Sequence, residues 1–508
     1  MSSTVKLLVL VVAASEAVNG AKTTHADPTS SERPQRPNIL FITADHLRYD
    51  TLGFTGDPVI KTSAIDALAA RSVGFSQYFV QNPVCHPSRA TIMTGRYPCN
   101  HGVRWNFSGL NENEVTLIEY LKKHGYTTAC IGKYHVSQRR FERALDYKEA
   151  SSIRNMRPDN PFIQYVKSRG YEYKTGFALP NFKERLCAVP QPGQPEGCHL
   201  DAYVGMRTRE YLRRVDKSKP FFLWLGFYGP HHPYVPSGRF AAMYRADQVP
   251  PFHKSKDDLE KKPIEYRLFF HVKEHKFYPF YNASEQTFRE MKAAYYGMVS
   301  QLDWQLGLVL QTLKELGLEE NTIVVFTSDH GEFLGDHGIP GKGPFLLDCM
   351  LHVPCIIHAP GVGRQGVVCD ELVESVDLFA TLCSLAGLKI PESVQGRDLT
   401  PLITGKRLSR YRRRTAIYAE AVDKRCIRTK EWKLIHYAGK DYGELYHLTE
   451  DPYELNNLYD ERPDVREKMT LQYYRHLDSI EDFKHPAYRR YTGIDPKTGK
   501  EVTNYLTW

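Results

Sequence analysis

No run of about 20 apolar residues, the length that crosses a bilayer, occurs in this chain of 508 residues. None of its ten cysteines stands in a Cys-x-x-Cys pair or at zinc-ligand spacing. That removes zinc ribbons and dithiol redox motifs from consideration. Lys and Arg exceed Asp and Glu by only 67 to 59, a net charge of +8, and no basic block is long enough to serve as a nucleic-acid arm. The densest basic spot, Arg410-Tyr411-Arg412-Arg413-Arg414, reads as a solvated loop. There is no internal repeat and no low-complexity tract. With 42% hydrophobic and 25% charged residues, the mixture is that of a globular protein rather than a disordered or fibrous one. At roughly 100–200 residues per domain, the length leaves room for a large core and a second domain.

The N-terminus carries one charge at Lys6, an apolar run from Leu7 to Ala14, and small or polar residues to Gly20. This is the pattern of a secretory signal peptide over residues 1–20, with residues 21–37 as a polar lead-in. It predicts a protein that is secreted, periplasmic, lysosomal or otherwise extracytoplasmic. The sequons at Asn106 and Asn282 are compatible with that route. Cys187 and Cys198 flank a Pro/Gly-rich loop and are the expected local disulfide; the other cysteines are expected to be buried thiols, except Cys85.

Five apolar, β-rich runs each end in a polar or charged cluster: residues 38–45, 126–131, 221–227, 322–329 and 353–358. Near-continuous apolarity marks strands buried on both faces, as in a parallel sheet. Between them lie helical patterns. One places Tyr295, Met298, Val299, Leu302, Leu306, Val309, Leu310 and Leu313 on one face and stops near Gly317; another covers Thr116 to His124 and stops at Gly125. Strands alternating with helices predict an α/β fold, a doubly wound, mostly parallel sheet over residues 36–405. Short strand-like pieces at 415–420 and 432–437, then a helix and a tail rich in Tyr, Pro and Lys, predict a smaller α+β subdomain over residues 406–508.

In an open α/β sheet, ligands bind beyond the carboxyl ends of the strands. Two distant strands end there in an acid followed by a histidine, Asp45-His46 and Asp329-His330. Carboxylates and imidazoles at such positions suggest a divalent metal site. After the first half-unit comes Cys85-His86-Pro87-Ser88-Arg89, followed by Thr94-Gly95-Arg96. This segment resembles the signature of the formylglycine-dependent (type I) sulfatases of the alkaline-phosphatase-like superfamily. Further segments are similar to that family in its own order: Gly125 to His135, Pro230-His231-His232-Pro233, Thr327 to Gly331 with Gly341-Lys342-Gly343, and Glu444 to Leu458. The resemblance covers roughly residues 37 to 460.

The resemblance implies a sulfuric ester hydrolase in which a maturation enzyme converts Cys85 to formylglycine, an aldehyde present at rest as a geminal diol. One hydroxyl then attacks sulfur, and the other drives release of sulfate as the aldehyde re-forms. On this reading His135 is the base for that release, while Arg89 and Lys133 hold the diol. Asp45, His46, residue 85, Asp329 and His330 surround a divalent metal. Lys133, His231 and Lys342 bind the sulfate group, and His231 with Lys342 protonates the departing oxygen. The implied substrate is a sulfated small molecule or oligo- or polysaccharide.

One position departs from the common family pattern, in which two consecutive aspartates follow the first strand; here Asp45 is followed by His46. The expected ion is Ca2+, a hard cation that prefers oxygen, with Mn2+ or Zn2+ as the alternatives, since imidazole suits Mn2+, Fe2+ or Zn2+ better. Either His46 stands behind the ligands, or the site takes a softer metal. Relatives that hydrolyse phosphonate monoesters or phosphodiesters also lack the second aspartate, so such an ester is the alternative substrate. A non-catalytic binder of sulfated glycans is disfavoured, since every expected catalytic residue is present.

Overall fold

The computed structural model describes residues 36–136, 138–150, 158–173, 185–255, 258–270, 283–481, 489–494, 498 and 501–506. The signal-peptide segment and the Asn282 sequon lie outside these residues.

In chain order the strands are β1 (Asn38–Asp45), β2 (Val73–Phe75), β3 (Tyr78–Phe79), β4 (Thr127–Gly132), β5 (Tyr147–Ala150), β6 (Phe221–Pro230), β7 (Thr322–Ser328), β8 (Cys355–His358), β9 (Val367–Cys369) and β10 (Val373–Glu374). Eight of them form one sheet in the order β5-β4-β6-β1-β7-β8-β2-β9, while β3 pairs with β10. The centre of the sheet, β4-β6-β1-β7, is parallel throughout. β1, β6 and β7 are buried along their whole length, which explains why they read as unbroken apolar runs.

The run ending at His358 departs from the parallel reading: β8 is antiparallel to both β7 and β2. Between β7 and β8 residues 329–354 hold only turns, a 3-10 turn at Asp336–Gly338 and the four-residue helix Asp348–Leu351, with no long crossover helix, so the strand can return in the opposite direction.

Helices cover the sheet. The long amphipathic one runs Glu285–Glu315, begins where the Ser284 hydroxyl accepts from Thr287 N, and packs against the helix Leu200–Arg214 and against β6. The helix Leu117–Lys123 opens with a complete capping box, Thr116 with Glu119, and the chain turns after it at Gly125, whose φ is +90°. A separate antiparallel sheet, β11 (Ile417–Ala421), β12 (Lys424–Arg428), β13 (Trp432–Tyr437) and β14 (Gly443–His447), is packed by the helix Pro463–Ile480. The tail contributes one further pair, β15 (Arg489–Ile494) with β16 (Glu501–Leu506).

Two local expectations change. All ten cysteines are free thiols; Cys187 packs in the main core, whereas Cys198 belongs to a satellite cluster with Phe162, Val166 and Tyr203. The loop between them therefore leads to two different apolar sites. The end of the basic run is not solvated either. Arg414 is buried and bridges Asp377 at 2.7 Å and Glu374 at 2.9 Å, because two interior carboxylates need a cation between them.

Candidate active site

The four central strands point their carboxyl ends the same way, and each delivers a polar group there. β1 ends in Asp45 and leads to His46, β4 leads to Lys133, β6 to His231 and His232, and β7 to Asp329 and His330. The strand termini thus converge residues from across nearly 300 positions of sequence. Asp45, His46, Asp329 and His330 are all wholly buried. Asp201, on the helix Leu200–Arg214, anchors the end of β6 by accepting from the backbone N–H of Tyr228 at 2.7 Å and of Gly229 at 2.8 Å.

Cys85 is the first residue of the helix Cys85–Thr94, behind an extended Val84. The unpaired N–H groups of a helix start favour negative charge at such a place. The Asn82 side chain prepares the turn by accepting from Val84 N and donating to the Glu420 carbonyl. The thiol is 1% exposed, and cations surround it. Lys342 Nζ lies 2.7 Å from Sγ, His330 Nε2 3.2 Å and Lys133 Nζ 3.8 Å. Burial alone would raise the thiol's pKa, but Lys133, Lys342 and His330 outweigh it and hold it well below the usual range.

Arg89 follows Cys85 by four residues, one helical turn on. Its Nε donates to Asp329 at 2.7 Å, one terminal nitrogen to Asp45 at 3.1 Å, and the other to the Lys133 carbonyl at 2.8 Å. With a thiol at residue 85, its hydrogen bonds go to the two carboxylates and the backbone of Lys133. Lys133 Nζ also pairs with Asp45. Burial and Cys85 act to raise the Asp45 pKa, but Lys133, His231 and Arg89 bring it down to about 2. Burial keeps the Asp329 pKa above the usual carboxylate value despite Arg89.

His135 lies against the Cys85 thiol, with its ring 5.6 Å from that of His86. His231 Nδ1 lies 2.9 Å from the Tyr228 hydroxyl and faces the His232 carbonyl, to which it can only donate. Burial, then Lys133, pushes its pKa down to about 4. One ligand atom from each of Asp45, Cys85, Asp329 and His330 fits within 4.8 Å of the others, and so does the set Asp45, His46, Cys85 and His231. The donor chemistry suits a divalent ion: two carboxylates, imidazoles and the side chain of residue 85.

Sequence reasoning passed over two buried groups here, Glu332 and Tyr228. Glu332 stands three residues after Asp329, and its Oε2 is 2.6 Å from His46 Nδ1. The ring of Tyr228 lies 5.1 Å from Lys133 Nζ. Periodicity could have indicated that both face inward, but not which partners they meet.

Glycine sets the approach of Lys133. A Cβ on Gly132, whose φ is +96°, would lie 2.0 Å from the Gly226 carbonyl oxygen, and a Cβ on Gly226 would meet the Lys133 carbonyl at 2.0 Å. Gly132→Ala is expected to displace Lys133 and reduce kcat/KM by about 100-fold, since a misplacement of roughly 1 Å at a reacting centre costs that much. Steady-state kinetics on folded variant checks it; a rate within a factor of about two of the parent shows that Lys133 placement does not matter.

The sheet, with its separate antiparallel C-terminal sheet, is that of the alkaline-phosphatase-like fold. Residues 37–388 match the sulfatase family, and residues 335–481 match the C-terminal region described for N-sulphoglucosamine sulphohydrolase. The chain belongs to the sulfatase family and is a sulfuric ester hydrolase. It is 31% identical to an arylsulfatase of Clostridium perfringens over 86% of this chain and 94% of that one. It is 32% identical to the iduronate 2-sulfatase of Mus musculus over 70% of this chain and 69% of that one. In structure it resembles the phosphonate monoester hydrolase of Agrobacterium radiobacter, with a TM-score of 0.76 and 25% identity, covering 92% of this chain and 100% of that one.

Proposed function

We propose that this sulfatase hydrolyses a sulfate ester of a carbohydrate, with formylglycine made from Cys85 as nucleophile and a divalent metal beside it. The observation that carries the reading is the setting of Cys85, a buried side chain ringed by Lys342, His330 and Lys133 next to two carboxylates. Formylglycine supplies a hydroxyl nucleophile and a second hydroxyl that permits release of sulfate, and the metal polarises sulfate oxygens. Asp45, Asp329, His330 and residue 85 are the proposed metal ligands, with His46 as a further candidate.

The chain's own groups divide the remaining work. Lys133 and Lys342 place two ammonium groups where negative charge develops, which is the form of stabilisation this transition state needs. Arg89 fixes both carboxylates and the Lys133 backbone. His135, against residue 85, takes up a proton from it. His231 is neutral while the site is empty of substrate, and a bound anion supplies the charge that lets it take and then deliver a proton to the departing oxygen. Beside the site, Trp105 and Phe107 are exposed, at 36% and 82%. They flank Asn106, whose side-chain oxygen accepts from His86 N at 3.1 Å. Such exposed aromatic surface next to a polar cleft suits a sugar ring, as does the likeness to a protein named iduronate 2-sulfatase.

The structural likeness to a phosphonate monoester hydrolase favours a second reading, the same site acting on a phosphonate or phosphodiester. Parallel assays of aryl sulfate, aryl phosphonate and a panel of sulfated mono- and oligosaccharides separate the two through their kcat/KM ratios. We expect the sulfated sugars to lead; a phosphonate ester turned over fastest overturns the carbohydrate sulfate reading. Mass spectrometry of the Cys85 peptide is expected to show aldehyde in active protein, and full activity with an intact thiol refutes the formylglycine.

A further inference from the structure

His46 stands where the common sulfatase pattern has a second aspartate, and its surroundings say how an imidazole fills that place. The ring is wholly buried. Its Nδ1 lies 2.6 Å from Oε2 of Glu332, which is itself wholly buried. On its other side the ring faces Asp45 Oδ1, 3.5 Å from Nε2, and the Cys85 thiol. The backbone is fixed as well: His46 N donates to Asp329 at 3.4 Å, and the His46 carbonyl accepts from the Tyr295 hydroxyl at 2.7 Å. Glu332 is held by its own backbone, its N–H donating to the Cys349 carbonyl at 3.0 Å and its carbonyl accepting from Arg48 at 3.2 Å.

We propose that Glu332 is a positioning residue that accepts the Nδ1–H of His46 and turns its unprotonated Nε2 toward Asp45, making His46 a metal ligand and the site selective for Mn2+, Fe2+ or Zn2+ over Ca2+. This rests on the reading of Asp45, Asp329 and His330 as metal ligands. A neutral imidazole has one N–H; once a carboxylate accepts it, the other nitrogen presents its lone pair. A carboxylate behind a ligating histidine is a recurrent way to fix the tautomer and raise its basicity, and its loss typically costs about 10–100-fold in metal affinity. Imidazole favours borderline ions over calcium. His46, His232 and Glu332 also lie close enough together to suggest an ion between them. However, ligands of one ion at about 2.1 Å stand about 3 Å or more apart, and the 2.6 Å from Nδ1 to Oε2 is a direct hydrogen bond.

The test uses the full chain, stripped with a chelator and titrated with Mn2+, reading the free-ion signal by electron paramagnetic resonance, with Ca2+ as competitor. Wild type is expected to take Mn2+ over Ca2+, with nitrogen hyperfine coupling on the bound ion. Glu332→Leu is expected to weaken Mn2+ about 10–100-fold while Ca2+ changes little. The isosteric Glu332→Gln serves if the leucine variant does not fold, with a smaller loss in the same direction. His46→Asp is expected to invert the preference. In a His46→Ala background, Glu332→Leu is expected to add nothing, because the two act as one unit. Unchanged Mn2+ affinity in both Glu332 variants overturns the proposal, and so does an equal loss with and without His46, which marks a packing role. If wild type binds no divalent ion, or Asp45→Asn leaves binding intact, the metal-site reading itself falls and takes the proposal with it.

Discussion

Cys85→Ala is expected to lower kcat for an aryl sulfate by about 10,000-fold or more while leaving the fold intact. The side chain lies at the meeting point of Lys342, His330 and Lys133, so the alanine variant keeps every cation of the site but offers them no nucleophile. The obvious substitute, Ser88, is one turn away along the same helix, and its hydroxyl is committed to the Asp329 carbonyl. Residual turnover would come from electrostatic stabilisation of attack by water, which sets a floor rather than a rescue. Circular dichroism and the melting temperature, read alongside the rate, separate loss of the nucleophile from any loss of stability caused by leaving Lys342, Lys133 and His330 without the group between them. Stopped assays with enzyme in excess over product background measure the loss. A variant retaining more than about one per cent of the parent rate places the nucleophile elsewhere.

Arg89→Met is expected to destabilise the metal-free protein by about 3–5 kcal/mol, the cost of leaving a buried charge without its partner. Arg89 is wholly buried, spans Asp45 and Asp329, and lies 5.9 Å over the Trp224 ring. Methionine keeps much of the aliphatic volume, so the change reports on charge more than on a cavity. Asp45 retains Lys133 after the substitution, whereas Asp329 loses its guanidinium. Urea unfolding at neutral pH measures the effect, and a midpoint equal to the parent's refutes the clamp. Added divalent ion should recover more stability in the variant than in the parent, because binding to the folded state alone stabilises by mass action and a cation there replaces part of the missing charge.

Legibility in the sequence followed the physics of each element. β1 and β7 could be read almost to the residue because burial on both faces leaves one continuous apolar signal. The same signal identified β8 but carried nothing about its direction, since parallel and antiparallel strands bury the same side chains. β2, β5 and β9, of three or four residues each, are too short to show a period. Asp45, Asp329 and His330 could be singled out because acid–histidine pairs at strand ends carry chemistry, whereas Cys85, Lys133, His231 and Lys342 rested on the resemblance to the sulfatase signatures. Their geometry was not legible, since the Arg89 contacts to Asp45 and Asp329 span 44 and 240 positions. Glu332 was hidden for a related reason: the bond to His46 joins positions 286 apart, and only the fold brings them together. The Cys187–Cys198 and Arg414 readings failed because nearness in sequence says little about which side of the core a residue enters.

The separation of these residues along the chain also sets an order of events during synthesis. Lys342 lies 257 positions after Cys85. At roughly 5–20 residues per second, it emerges on the order of tens of seconds later. Until then the thiol lacks its nearest cation, the Lys342 ammonium 2.7 Å away in the folded chain. Afterwards Cys85 is 1% exposed. If Cys85 is the site of the proposed conversion, that interval is the time available for it before Lys342, 257 positions on, can fold against the thiol.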